Sequence, residues 1–227
     1  FVLGIILATV FGGISVLAAQ NTEDIVILYE NDVHCAVEGY SKLAAMKKEL
    51  QETYTHVGVV SGGDYIQGSS LGAISRGEYI IDIMNLVGYD AVTLGNHEFD
   101  YGVDTLALVL KDAQFDVVCA NYDVTNSPLE NIVKQYTIIQ RSKTRIGVFG
   151  IGVNPHSLIA ERNFYPLKYL EPIEMAQKTA DILKLQKRCD LVICLSHQGT
   201  HMGDVELAKT TKNIEKYFKN FKKALDF

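Results

Sequence analysis

Four short segments carry the residue types that metal-assisted hydrolysis uses: Asn31-Asp32-Val33-His34, Ser61-Gly62-Gly63-Asp64, Gly95-Asn96-His97-Glu98-Phe99-Asp100 and Ser196-His197-Gln198-Gly199. Asp32 and His34 are two apart, so an extended backbone points both side chains the same way. A carboxylate and an imidazole on one side make half of a metal site. Asp64 follows two glycines, whose backbone freedom lets its carboxylate reach between two ions as a bridge. Asn96 offers a carbonyl oxygen and His197 an imidazole to a second ion. Two divalent ions about 3.5–4 Å apart activate a water and clamp both oxygens of an in-line displacement at phosphorus. Asp100, close after His97, can fix the tautomer of that imidazole and support its charged form, leaving the other nitrogen for a substrate. Each segment alone is ordinary loop chemistry. The combination carries the reading.

Each of these segments follows a short apolar run, at 25–29, 57–60, 91–94 and 191–195, and two further runs lie at 116–119 and 146–149. All six are mostly β-branched, as strands buried on both faces should be. Helical patterns alternate with them. Ser41 is placed to cap a helix whose Leu43, Met46 and Leu50 share a face, and Pro172 fits the first turn of another that runs to about Arg188. The alternation predicts an α/β fold with much parallel pairing, in one domain spanning 24–214. Ligands of such sheets bind beyond the carboxyl ends of the strands, so four strand ends converge Asp32, His34, Asp64, Asn96, His97 and His197. His56 and His156 have no such setting and read as surface residues; His201 lies close after His197 but is not assigned to the site.

A net charge of −6 over 227 residues excludes a polyanion-binding surface. It allows a small phosphorylated substrate, because bound cations supply the positive field the side chains lack. Residues 1–19 are uncharged and end in Val16-Leu17-Ala18-Ala19 before polar residues begin at Gln20. That pattern fits a secretory signal peptide, with an uncleaved membrane anchor as the alternative. Both place the domain outside the cytoplasm, whether periplasmic, cell-surface or secreted. Four cysteines are too few for a disulfide scaffold; Cys119, Cys189 and Cys194 sit in or beside apolar runs as small buried hydrophobes. Residues 215–227 carry an amphipathic pattern, with Tyr217, Phe218, Phe221 and Leu225 apart from a basic set of lysines, and predict a helix that covers exposed core.

In order, Asn31-Asp32-Val33-His34, Gly62-Gly63-Asp64, Gly95 to Asp100 and Ser196-His197 resemble the signature of calcineurin-like metallophosphoesterases. The Glu98-Phe99-Asp100 portion resembles the 5′-nucleotidase branch, which includes UDP-sugar hydrolases and 2′,3′-cyclic-nucleotide phosphodiesterases. The resemblance implies a four-layer α-β-β-α sandwich and two divalent ions, Zn, Mn or Co. It implies Asp32 and His34 on one ion, Asp64 bridging, and Asn96 and His197 on the other. His97 would stabilise the transferring phosphoryl group with Asp100 orienting it, and the substrate would be an extracellular nucleotide.

Two departures from the family stand out. Cys35 follows the first histidine where the family commonly has a small or polar residue. The family also continues, after a stretch like 204–214, into a buried strand ending in Gly-His-X-His that completes both ion sites. Residues 215–227 contain neither histidine, and the family's C-terminal nucleotide-binding domain does not follow. The expectation is therefore an incomplete domain that binds metal weakly and turns over little. A relative that binds metal or phosphate without turnover is the alternative to an active hydrolase.

Overall fold

Valine- and isoleucine-rich runs form the strands of this protein, seen in a computed structural model that describes residues 22–199 and 203–214. Strands β1 (Thr22–Glu30), β2 (Tyr54–Ser61), β3 (Ala91–Val92) and β4 (Asp116–Val118), with the short β6 (Val133–Lys134), form a fully parallel sheet in the order β1-β2-β3-β4-β6. Strands β7 (Tyr136–Arg141), β8 (Thr144–Ile151) and β10 (Leu191–Ser196) form a second sheet ordered β10-β8-β7. There β8 pairs in parallel with β10 and in a hairpin with β7. A small antiparallel ribbon joins β5 (Tyr122–Asp123) to β9 (Lys168–Tyr169).

The two sheets pack face to face through Val60, Ala91 and Val118 on one side and Ile146, Val148, Ile193 and Leu195 on the other. Alternation along each strand then turns the neighbouring residues outward. Val59, Val92 and Val117 meet Tyr40 of α1 (Val37–Gln51), Ile80 and Met84 of α3 (Glu78–Val87), and Leu106 and Leu110 of α4 (Gly102–Leu110). On the far side Phe149, Ile151 and Val192 meet Ala176 and Ala180 of α6 (Pro172–Asp181), Leu183, and Leu207 of α7 (Asp204–Thr210), while the short helices α2 (Ser70–Ser75) and α5 (Glu161–Phe164) lie in connections. The result is helices, sheet, sheet and helices: the four layers that the resemblance implies. Each fully buried Phe, Ile or Met of these layers contributes on the order of 1.5–3 kcal/mol of apolar transfer.

All six apolar runs become strands, but the first helix differs from expectation. It begins at Val37 after Ala36, so Ser41 lies inside it and its hydroxyl donates to Glu38 O at 2.9 Å. The buried stripe starts from Tyr40 and continues through Leu43 and Ala44, which leaves Met46 52% exposed. The earlier start brings Tyr40 into the helix, and packing follows the Tyr40–Leu43–Ala44 stripe, off which Met46 lies. Pro172 does open α6, whose last turn widens into a π-turn over Ile182–Gln186 and so ends near Arg188. His56 is half-buried, against expectation, and His156 is exposed, as expected. The segment 1–19, expected as a signal peptide or anchor, lies outside the described residues, as do His201 and the tail 215–227. No helix among the described residues is long and apolar enough to cross a membrane.

Candidate metal centre

At the carboxyl edge of the first sheet, β1 and β2 run on side by side past their last paired residues. Asp32 N donates to Gly63 O at 3.1 Å and His34 N to Asp64 O at 3.0 Å. The backbone there is not extended. Asp32, His34, Cys35 and Asp64 have φ of 55°, 48°, 59° and 59°, and Gly63 has φ 106°. Left-handed conformations at non-glycine residues cost roughly 1–3 kcal/mol each and persist only where surrounding bonds enforce them. The two side chains meet on one side because a loop folds them there, not because a strand alternates. A Cβ on Gly63 would press on Gly95 and one on Gly95 would overlap the Asp64 carboxylate, so the glycines let the loops after β2 and β3 touch.

Asp64 is the point at which the donors meet. Its Oδ2 lies 3.3 Å from His197 Nε2 and 3.8 Å from His34 Nε2, while Asp32 Oδ1 lies 3.6 Å from the same His34 nitrogen. Two sets of ligand atoms gather within 4.8 Å, His34 with Asp64 and His97, and Asp32 with Asp64 and His197, so Asp64 belongs to both. Asn96 lines the same cavity, of about 430 Å³, together with Asp32, His197 and Gln198. The structure thus brings together all five residues that the sequence assigns to metal. It gathers Asp32 with His197 as well as with Asp64, within 4.8 Å, and it sets His97 beside His34, with ring centroids 5.1 Å apart.

The outer nitrogens of the two imidazoles settle which face is turned inward. His34 Nδ1 lies 3.1 Å from Gln67 O and His197 Nδ1 lies 2.8 Å from Gly62 O. A carbonyl only accepts, so each Nδ1 must carry its proton. In the neutral tautomer that leaves two Nε2 lone pairs facing carboxylate oxygens, an arrangement that repels unless a cation or a second ring proton lies between them. The described residues lining the cavity include no Lys or Arg to fill that role. Nitrogen and oxygen donors facing one another, with each histidine anchored from behind, fit divalent ions such as Zn, Mn or Co.

Without a cation the same geometry shifts the titrations. Burial pulls His197 down, but its hydrogen bond to Asp64 and the charge of that carboxylate outweigh burial and push its pKa up to about 9. Asp64 responds oppositely: burial raises it, and the stronger pull of His197, His97 N–H and the His97 charge leaves it below its ordinary value. His97 is also lifted, since the Asp100 bond at 2.8 Å and the charges of Asp64 and Asp100 overcome its burial. That bond occupies Nδ1.

Two participants were not singled out by sequence. Glu98 is fully buried and accepts from the backbone N–H groups of Asp64, Tyr65 and Gly95. Its sequence signal is only its place between His97 and Asp100. Asp204, at the start of α7, accepts from Ser196 Oγ at 2.5 Å and holds the strand end that presents His197. Cys35 turns away from the donors: its Sγ is buried and donates to Tyr65 O at 3.2 Å.

Comparison with known proteins gives a consistent result. The sequence model described as calcineurin-like phosphoesterase matches residues 25–224. The chain is 29% identical to a snake venom 5′-nucleotidase of Gloydius brevicauda over 217 residues, covering 87% of this chain and 36% of that protein. It is 25% identical to the trifunctional nucleotide phosphoesterase YfkN of Bacillus subtilis, covering 85% of this chain and 15% of that protein. Among solved structures, a 5′-nucleotidase precursor from Thermus thermophilus superposes with a TM-score of 0.74 at 28% identity, over 81% of this chain and 39% of that one. The NAD nucleotidase of Haemophilus influenzae gives 0.74 at 27%, over 84% and 41%. The chain therefore spans well under half the length of these relatives.

Proposed function

This chain belongs to the calcineurin-like phosphoesterase family, and on that premise we propose that it hydrolyses phosphate esters of small nucleotides with two divalent ions held between its strand ends. The observation that supports this most is the shared position of Asp64, with an anchored imidazole on each side of its Oδ2. In this reading Asp32 and His34 would hold one ion, Asn96 and His197 the other, and Asp64 would serve both. When bound, the ions supply Lewis-acid stabilisation of the phosphoryl oxygens and an activated water.

The remaining chemistry falls to the chain's own groups. His97, protonated with the help of Asp100, donates from Nε2 to a phosphoryl oxygen as negative charge grows there. Asp64 Oδ1 accepts from His97 N at 2.8 Å, which fixes that imidazole relative to the donor cluster. Among the described residues the wall carries Asp32 and Asp204 and no lysine, so bound cations favour the entry of a phosphate. Nucleotides are the substrate class because the relatives are described as 5′-nucleotidase, nucleotide phosphoesterase and NAD nucleotidase. Action outside the cytoplasm belongs to the same proposal and rests on the signal-like segment 1–19.

The test is phosphate release from a nucleoside monophosphate and an aryl phosphate, by purified chain with added Mn²⁺, Zn²⁺ or Co²⁺, beside calorimetric titration of the same ions. Release that needs metal, stops with chelator and is lost in Asp64→Ala supports the proposal. Ions bound without release would favour the non-turnover alternative, and a chain that binds no ion would sink both.

A further inference from the structure

Glu98 sits in the block Gly95 to Asp100 and is fully buried, and among the described residues no cationic side chain bonds to it. A buried carboxylate is costly unless its oxygens are satisfied. Here all the bonds come from backbone N–H groups of two loops. Oε2 accepts from Asp64 N at 2.8 Å and from Gly95 N at 2.6 Å; Oε1 accepts from Tyr65 N at 2.8 Å, with a longer bond from Ile66 N at 3.4 Å. One side chain therefore ties the loop after β2 to the loop after β3.

The bond is returned. Asp64 Oδ1 accepts from His97 N, so each loop's carboxylate holds the other loop's backbone. Asp64 needs such a hold, because its φ of 59° is a conformation the chain does not adopt unaided. With Oδ1 occupied and the backbone pinned, Oδ2 is left facing His34 and His197.

We infer that Glu98 is the positioning residue of this centre: its carboxylate braces the Asp64 and Gly95 loops, and that brace sets where the bridging oxygen lies between the two imidazoles. The inference rests on the metal reading of Asp64 above. Glu98 touches neither ion nor substrate, and it acts through Asp64.

Glutamine at this position keeps one acceptor and turns an NH2 against N–H donors, while aspartate keeps the charge but is a methylene too short to reach both loops. The experiment measures Co²⁺ affinity and the visible Co²⁺ spectrum for the unaltered chain, Glu98→Gln and Glu98→Asp. Asp90→Asn serves as control, since Asp90 accepts from Val59 N at 3.0 Å and pairs with Arg141 at the opposite edge of the sheet. Expected are about tenfold or greater losses of Co²⁺ affinity with an altered spectrum in both Glu98 variants, and neither change in Asp90→Asn despite a lower melting temperature. A Glu98 variant that binds Co²⁺ with unaltered affinity and spectrum overturns the inference, as does an equal loss in Asp90→Asn. Hydrogen exchange in the unaltered, metal-free chain decides the matter should neither Glu98 variant fold. The amides of Asp64, Tyr65 and Gly95 should be strongly protected, and exchange at unstructured rates overturns the brace. A chain that binds no Co²⁺ refutes the metal reading instead, and the exchange result still judges the brace.

Discussion

Asp64 Oδ2 stands 3.3 Å from His197 Nε2, although the two residues belong to different sheets: Asp64 follows β2 and His197 follows β10. The candidate centre is thus an inter-sheet site, and its dimensions depend on how the sheets stack. It also separates two kinds of residue. Asp64 contacts both imidazoles, whereas His97 has Nδ1 committed to Asp100.

That division gives the first prediction. Asp64→Ala removes the shared oxygen and should lose bound metal and phosphate release together. His97→Ala should keep its metal while turnover falls by about 10²–10³-fold, the usual cost of removing one transition-state donor. Metal analysis beside single-turnover kinetics checks it, and a metal-free His97→Ala protein would contradict it.

The metal-free chain should be pH-sensitive in a definite direction. His197 rises from 6.5 to about 9 in the fold, so the protonated form is the one the fold stabilises. Its contribution, on the order of 1–3 kcal/mol, is fully present below about pH 6.5 and is lost as pH rises through about 9. Thermal melts of chelator-treated chain should therefore show stability falling across that window. The slope should flatten in His197→Gln, and an identical slope would contradict the assignment.

Cys35, despite following His34, should be inert toward the centre. Its Sγ is buried against Tyr65 O and Gly72, where burial raises the thiol pKa. Cys35→Ala should leave metal affinity unchanged and cost on the order of 1 kcal/mol, read from denaturant melts. A thiol reagent should label it slowly until denaturant is added. Faster labelling on metal removal would place the thiol at the site after all.

The strands were legible because buried parallel strands read as continuous β-branched runs, and the donors were legible because each followed one. What sequence spacing could not supply was loop conformation. Asp32 and His34 converge through positive φ rather than strand alternation, and nothing in their spacing distinguishes the two. Glu98 escaped for a related reason: a carboxylate bonded only to backbone N–H groups has no side-chain partner to betray it. The face of α1 was misjudged because Tyr40, not Leu43, sets the inward stripe. Short β6 and β9 lack enough residues for any period to show.

The last prediction follows from the inter-sheet nature of the centre. Gly150 lies in β8 opposite Leu195 of β10, and its carbonyl accepts from Ala120 N at 2.7 Å. A Cβ there would overlap Thr93 Oγ1 and Val118 O, both in the first sheet or just beyond its strands. Val118 O is backbone and cannot rotate aside, so the sheets must part to admit the methyl group. Overpacking of this kind costs about 1–3 kcal/mol, and Gly150→Ala should show it as a lower melting temperature. It should also weaken metal binding, although Gly150 touches no ligand. His197 N donates to Ile151 O at 2.8 Å, so the strand displaced by Gly150→Ala is the one that anchors His197. Parting the sheets lengthens the His197–Asp64 distance, and the ion that needs both loses one. Leu86→Ala, altering a side chain 87% exposed on the outer face of α3, should change stability by no more than about 0.5 kcal/mol and leave metal affinity alone. Calorimetric titration of Mn²⁺ into both variants reads the difference, and a Gly150→Ala chain that is destabilised but binds Mn²⁺ normally would show that sheet spacing does not set the centre.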